Sequence, residues 1–214
     1  MDKAEVAAIL DDVGDLLELR GVSLVLAGSR RHVMHELHAG PGAPLLGVGE
    51  ILTLDAVPEA DMVAFLRHRS GAAGKEMTED AARMLFVRAR GVPAYVQRLA
   101  FEAFESGPPA IDGSVVERAV ATVLKRERQY FEVIYEDLAP NQRSLIRALA
   151  VEPARSITSR EFLDRSGVRA DSSAQRALQA LEASEKVELG PAGWQVTDPL
   201  FALWLSSVPH GMSG

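Results

Sequence analysis

The feature that most constrains this fold is a set of three amphipathic segments followed by a short hairpin near the C-terminus. Apolar residues recur at helical spacing in residues 141–150, 158–166 and 172–185. Two short strand-like segments, 186–189 and 194–197, then flank the turn sequence Gly190-Pro191-Ala192-Gly193. Three helices followed by a β-hairpin is the layout of a winged helix, which we predict for residues 137–207.

The end of this predicted domain is unusually apolar. Asp198-Pro199 is typical of a helix start, and it precedes a segment that contains Phe201 and Trp204. Apolar residues are too closely spaced there for a solvated helix face. We therefore predict that both aromatic side chains are core residues, and that residues 208–214 form a tail.

Four further amphipathic segments precede the winged helix. They cover residues 58–69, 78–88, 93–104 and 113–136, and Gly- or Pro-rich segments separate them. Thr78 is followed by two acidic residues, which is typical of a helix N-cap. The sequence predicts a helical bundle over residues 58–136.

The N-terminal segment has a different pattern. Residues 22–27 form an almost continuous apolar run, typical of a strand buried on both faces, and residues 50–54 form a second strand-like run. We therefore expect residues 1–57 to hold part of a parallel sheet. The predicted fold class is mostly α with a small α/β remnant: a partial parallel sheet, a helical lid bundle and a C-terminal winged helix.

Composition excludes several classes of protein. The 214 residues include no cysteine, which removes disulfide scaffolds and thiolate zinc sites. The net charge of -7 argues against a protein that coats nucleic acid broadly, although it leaves room for a local basic patch. The N-terminus has no signal-peptide pattern and no apolar run is long enough for a membrane helix. We expect a cytoplasmic protein without a membrane partner.

Three motif-like strings predict no chemistry. The string from Gly71 to Glu76 has the wrong spacing for a phosphate loop and carries an acid in place of the magnesium-binding hydroxyl. The acids at positions 11 and 12 fit a solvated helix face. His32, His35 and His38 recur every three residues, so their rings would spread over an arc of ~120°, too wide to share one ion. We assign no metal ligand and no catalytic residue.

The break at Gly91-Val92-Pro93 allows two interpretations. Proline is favoured at the first position of a helix, which explains Pro93 without any ligand. Alternatively, the exposed amides and Pro93 face a nucleotide. The residues alone favour the first interpretation.

The predicted recognition helix also leaves two interpretations open. Its polar groups and the arginine before it are candidates for DNA binding: Arg169, Ser173, Gln175, Arg176 and Gln179. Residues 136–198 hold eight basic residues against ten acids, a weak electrostatic footprint for phosphate contacts. Packing against another protein domain is the alternative.

Several strings together resemble a known family. They are residues 24–34, in which the first strand ends in Gly28-Ser29, residues 91–100, which begin with Gly-Val-Pro, residues 156–159, and residues 197–205. Their order and spacing resemble the second half of archaeal and bacterial ATP-binding proteins of the signal-transduction (STAND-type) branch of AAA+ ATPases, which are related to origin-recognition ATPases. The resemblance covers nearly the whole chain.

The resemblance implies a role for particular residues. It places Ser29 on the sensor-1 strand, near the γ-phosphate, and Arg30 within reach of phosphate. It places Gly91 and Pro93 in a nucleotide-sensing element of the helical lid. ATP or ADP would then be the ligand.

The sequence also departs from the family pattern. It contains no phosphate loop and no magnesium-binding acidic strand. We therefore expect a truncated ATPase-like protein without autonomous catalysis, acting as a nucleotide-sensing regulator. The alternatives are a winged-helix regulator that binds DNA or protein, and one chain of a split ATPase. An incomplete sheet would pair with a second copy or with a partner chain.

Overall fold

The computed structural model describes residues 25, 27, 28, 37, 43, 46, 50–52 and 56–208. The chain divides into two compact units, Met1–Asp55 and Ala56–Gly214. The described residues of the two predicted N-terminal strands are Val25, Ala27 and residues 50–52, and none of them lies in a helix or strand. The rest of those strands, the acids at 11 and 12, and His32, His35 and His38 lie outside the described residues.

The second unit begins with the helical module, residues 59–136, which confirms the predicted helical content. Its elements, in chain order, are α1 (Glu59–Ala72), β1 (Glu76–Met77), α2 (Glu79–Arg88), α3 (Pro93–Ser106), β2 (Ala110–Ile111) and α4 (Gly113–Glu136). The two short strands pair in parallel, Glu76 with Ala110 and Met77 with Ile111. Among the described residues, parallel pairing therefore occurs inside the helical module, where the sequence predicted only helices.

Side-chain caps fix where two of these helices start. Thr78 accepts a hydrogen bond from the Ala81 amide at 3.2 Å, as the sequence predicts. Asp112 accepts from the amides of Ser114 and Val115 at 2.9 and 3.1 Å. The Ser114 hydroxyl also donates to it, and this hydrogen bond, followed by those from the amides, lowers the pKa of the Asp112 carboxyl group. The turns between helices are thus specified locally.

The glycine-rich segment before β1 has a structural role. Helix α1 continues through Gly71 and ends at Ala72, and Gly74 adopts a left-handed conformation with φ +82°. The Lys75 ammonium group then donates to the backbone carbonyls of Phe104 and Gly107, at the C-terminal end of α3. It also lies 4.7 Å from the centre of the Phe104 ring. This lysine satisfies carbonyls left open by a helix end, where a positive charge is favourable.

Replacing Lys75 by methionine is expected to lower the free energy of unfolding by about 2 kcal/mol. The change keeps the apolar stem but leaves two carbonyls of a helix end without their charged donor. Chemical denaturation measures the loss. The matched control is Lys125→Met, because Lys125 is exposed on α4 and should tolerate the change. Equal stability of the two variants would contradict this role.

The winged helix follows and confirms the predicted order of elements. It contains α5 (Pro140–Val151), α6 (Arg160–Ser166), α7 (Asp171–Ala183), β3 (Val187–Gly190), β4 (Gly193–Val196) and α8 (Pro199–Ser207). The antiparallel register pairs Gly190 with Gly193, so the hairpin turn has two residues, not the four that the sequence predicted. Both flanking glycines continue the ladder, and Ala154 adds a single bridge to Trp194.

The helical module and the winged helix share one hydrophobic core. Asp198 caps α8 by accepting from the amides of Leu200 and Phe201 at 2.8 and 3.1 Å. Phe201 and Trp204 are 2% and 7% exposed, so the prediction that both are core residues is confirmed. Their rings stack on each other with centroids 5.8 Å apart and contact Phe131 of α4 at 5.5 and 5.9 Å.

A search of the described residues for membrane-spanning helices finds none of sufficient length and apolar character.

Candidate functional site

The turn between α2 and α3 has an unusual backbone conformation. Arg90 and Gly91 are consecutive left-handed residues, with φ of +50° and +70°. The Gly91 amide donates to the Phe86 carbonyl at 2.8 Å and closes the end of α2. A Cβ atom at Gly91 would lie 2.8 Å from the Phe86 ring, so the turn requires glycine at this position for steric as well as conformational reasons.

Pro93 follows as the first residue of α3 and is exposed. No side chain caps this helix, because its N-cap residue is Val92. This geometry agrees with the structural explanation of Pro93, and a role in contacting nucleotide stays a prediction. Ser29 and Arg30 lie outside the described residues, so their role stays a prediction from the sequence.

The turn also contacts the winged helix through a residue that sequence reasoning missed. The Arg90 guanidinium group donates to the carbonyl of Val196 in β4. Burial lowers the pKa of Arg90, and the negative charges of Glu188 and Asp198 act in the opposite direction. Arg90 and Val196 are 106 residues apart, and no local sequence pattern could have indicated this contact.

Tyr95, in the first turn of α3, is partly buried, and the negative charge of Asp198, the residue that caps α8, acts on it. Burial, together with the Asp198 charge, raises the pKa of Tyr95 to about 12. The phenol therefore stays protonated at neutral pH.

The structure places the DNA-binding candidates on and before α7. Gln175, Arg176 and Gln179 are exposed and share one helix face, opposite a buried face that includes Ala174, Ala177, Leu178 and Leu181. Arg169 is exposed just before the helix. Ser173 is only partly exposed, because it lies toward the edge of the buried face.

Three arginines of the winged helix are occupied by structural contacts. Arg143 donates to the Glu136 carbonyl, and Arg147 donates to the Val208 carbonyl at 3.0 Å. Arg165 binds the Glu152 carboxylate at 2.5 Å and also the Glu152 carbonyl. These side chains are not free to contact phosphates.

The exposed charges of the winged helix have mixed sign. Within residues 56–208, the side chains of Arg155, Arg160 and Arg169 form no hydrogen bond or ion pair with the protein. Arg160 and Arg169 line the same open cavity between α6 and α7, which Asp164 and Asp171 also line. The following part of α7 and the wing is acidic, with exposed carboxylates that include Glu182 and Glu188.

In the described part of the chain, no group of three or more His, Asp or Glu side chains is arranged to hold a metal ion.

Comparisons with known proteins place these features in a wider context. Residues 129–207 match the family model described as "Probable winged helix domain". The fold is similar to that of the Walker-type ATPase PABY2304 of Pyrococcus abyssi, with a TM-score of 0.63 and 18% sequence identity. That similarity covers 94% of this chain and 57% of the ATPase chain, so this chain spans little more than half the length of that protein. No curated protein matches the sequence.

These findings agree with the geometry of the second unit. The matched segment begins in the last two turns of α4 and includes every helix and strand of the winged helix. Residues 129–207 are therefore a winged helix domain, in a chain whose fold is like that of part of a Walker-type ATPase.

Proposed function

We propose that this chain is a nucleotide-sensing regulatory protein of the STAND-type AAA+ class, with a helical lid and a winged helix, and that it does not hydrolyse ATP by itself. We expect ATP or ADP to contact the α2–α3 turn at Gly91 and Pro93, and Ser29 and Arg30 stay candidates for phosphate contacts from the sequence. The observation that carries the proposal is the similarity of nearly the whole fold to a Walker-type ATPase.

One feature of the turn and one of the sequence support this proposal. Pro93 and Val92 are exposed at the start of a 14-residue helix, and no side chain caps its first amides. The sequence lacks the lysine and magnesium ligands that supply most of the charge stabilisation in phosphoryl transfer. We therefore expect binding of a nucleotide without turnover by these 214 residues.

Replacing Pro93 by alanine is expected to weaken binding of ADP or ATP about fivefold, which corresponds to the loss of one close apolar contact of about 1 kcal/mol. Calorimetric titration of the purified chain measures the affinity. The matched control is Pro140→Ala, because Pro140 is also an exposed proline at the first position of a helix. No detectable binding at millimolar nucleotide, or an equal loss in both variants, would contradict the proposal.

A second function, DNA binding through the winged helix, is supported by the unpartnered exposed arginines before α7. Arg169 would contact phosphate, and Arg176 would do so through its terminal guanidinium nitrogens, because its Nε donates to the Ser172 carbonyl. Ser173, Gln175 and Gln179 would face the bases. Because the rest of α7 and the wing is acidic, the surface that contacts DNA would be small. The alternative for the same surface is a protein partner.

The double variant Arg169→Ala/Arg176→Ala is expected to reduce the salt dependence of DNA binding. If both residues contact phosphate, the slope of log K against log salt falls by about 2. Fluorescence anisotropy with duplex DNA at several salt concentrations measures the slope. Arg88→Ala is the control, because Arg88 is paired with Glu117 in the helical module. An unchanged slope, or no binding by the native chain, would favour a protein partner.

We also propose that the first unit pairs with a second copy or with a partner chain. Val25 and Leu52, two apolar residues of this unit, are 87% and 81% exposed. Exposed apolar surface of this kind favours association. A monomer in sedimentation at high protein concentration would exclude the pairing of two copies, and a co-purifying second chain would support the split ATPase.

A further inference from the structure

Arg90 has a backbone conformation that its residue type does not favour. A φ of +50° costs free energy for a residue with a Cβ atom, and glycine or asparagine would fit the position better. The turn itself needs only the left-handed backbone, which glycine would supply. Strain of this kind at a non-glycine residue indicates that the side chain has a role elsewhere.

The Arg90 side chain has its contact in the other module. Its guanidinium group donates to the Val196 carbonyl, close to the carboxylates of Glu188 and Asp198. Val196 is the last residue of β4, and it pairs with Val187 at the base of the wing. The side chain therefore ties the α2–α3 turn to the base of the wing.

Val196 lies two residues before Asp198, which caps α8 by accepting hydrogen bonds from the amides of Leu200 and Phe201. The Arg90 contact therefore meets the chain at the junction of β4 and α8.

We propose that Arg90 is a latch that holds the Gly91–Pro93 turn against the β4–α8 junction, so that a nucleotide on the turn changes the stability of the wing. The coupling to nucleotide rests on the proposed function, whereas the latch does not. Coupling of two sites is reciprocal, so a partner that binds the wing would also change nucleotide affinity. Arg90 acts as a positioning residue, because it contacts no ligand in this scheme.

Hydrogen exchange of the intact chain without nucleotide tests the latch. Three substitutions separate the contributions of Arg90: Arg90→Met removes the donor and keeps the stem, Arg90→Gly also relieves the backbone strain, and Arg90→Lys keeps a charged donor. The first two are expected to speed exchange of amides 193–197 roughly fivefold, because one hydrogen bond is lost. Arg90→Lys should keep most of the protection, and the control Arg88→Met should change nothing in the wing.

The Arg90→Gly variant gives the sharpest result. If Arg90 only shaped the turn, glycine would make the turn more favourable and leave the wing unchanged. Faster exchange in the wing together with an intact helical module supports the latch. Native exchange rates in the wing of both Arg90→Met and Arg90→Gly would overturn it. Fast exchange in Arg90→Gly with native exchange in Arg90→Met would also overturn it, because that result would assign the effect to packing of the stem, which methionine keeps.

A second arm adds ADP and magnesium to the same proteins. Binding should slow exchange in both the turn and the wing of the native chain, but only in the turn of Arg90→Met. Binding that protects the turn and leaves the native wing unchanged would overturn the coupling. An absence of binding would refute the proposed nucleotide function and leave the result of the first arm standing.

Discussion

Replacing Trp204 by alanine is expected to lower the free energy of unfolding by about 3–5 kcal/mol, the usual loss for a buried aromatic side chain. Trp204 is 7% exposed and lies on α8, where its ring stacks on Phe201 and contacts Phe131 and Tyr135 of α4. The indole therefore joins the winged helix to the helical module. Its loss leaves a cavity at the joint between them, which neither module can fill without moving the other.

Chemical denaturation followed by circular dichroism measures this effect. The matched control is Phe101→Ala, since Phe101 is a large aromatic residue that is 66% exposed on α3. It should change stability by less than about 1 kcal/mol. An unchanged unfolding midpoint for Trp204→Ala would show that the ring does not lie in the core.

Replacing Gly193 by alanine is expected to destabilise the wing by on the order of 3 kcal/mol, through two separate costs. The first is conformational, because Gly193 has φ +126°, a backbone angle that residues other than glycine rarely adopt. The second is steric: a Cβ atom would lie 2.5 Å from the carbonyl carbon and oxygen of Ala154. Those are backbone atoms, so no side-chain rotation relieves the contact.

The clash should also remove a specific pair of hydrogen bonds. Ala154 and Trp194 exchange amide–carbonyl bonds of 3.0 and 2.8 Å, and this bridge holds the wing on the segment after α5. Gly167→Ala is the control, because Gly167 also has a left-handed φ of +71° but has open space around it. Equal losses for the two variants would show that the steric cost at Gly193 is negligible.

Much of the second unit could be predicted because its information is local. Apolar periodicity predicted α4 at its observed bounds, Gly113–Glu136, and caps such as Thr78 and Asp198 marked where helices begin. The order of three helices, a hairpin and an apolar last helix was enough to predict the winged helix. Each of these signals lies within a few residues of the structure that it specifies.

The candidate sites depended on contacts that no local pattern contains. Sequence reasoning chose Gly91 and Pro93, but it missed Arg90, whose partner lies 106 residues away. It treated the arginines of the winged helix as one basic set. In the structure, Arg143 and Arg147 donate to backbone carbonyls, and Arg165 binds a carboxylate. A side chain's identity gives its charge and hydrogen-bonding groups, but not which partner it reaches.

The sequence by itself determined the helices, their caps and the winged-helix layout, because periodicity and capping act over one or two turns of chain. The tertiary structure alone decided that Lys75 closes the end of α3, that β1 and β2 pair in parallel, and that Gly193 must lack a side chain. These outcomes depend on which segments pack together. Which segments pack together is decided by burial of the whole hydrophobic core, and that burial depends on many contacts between residues far apart in the sequence.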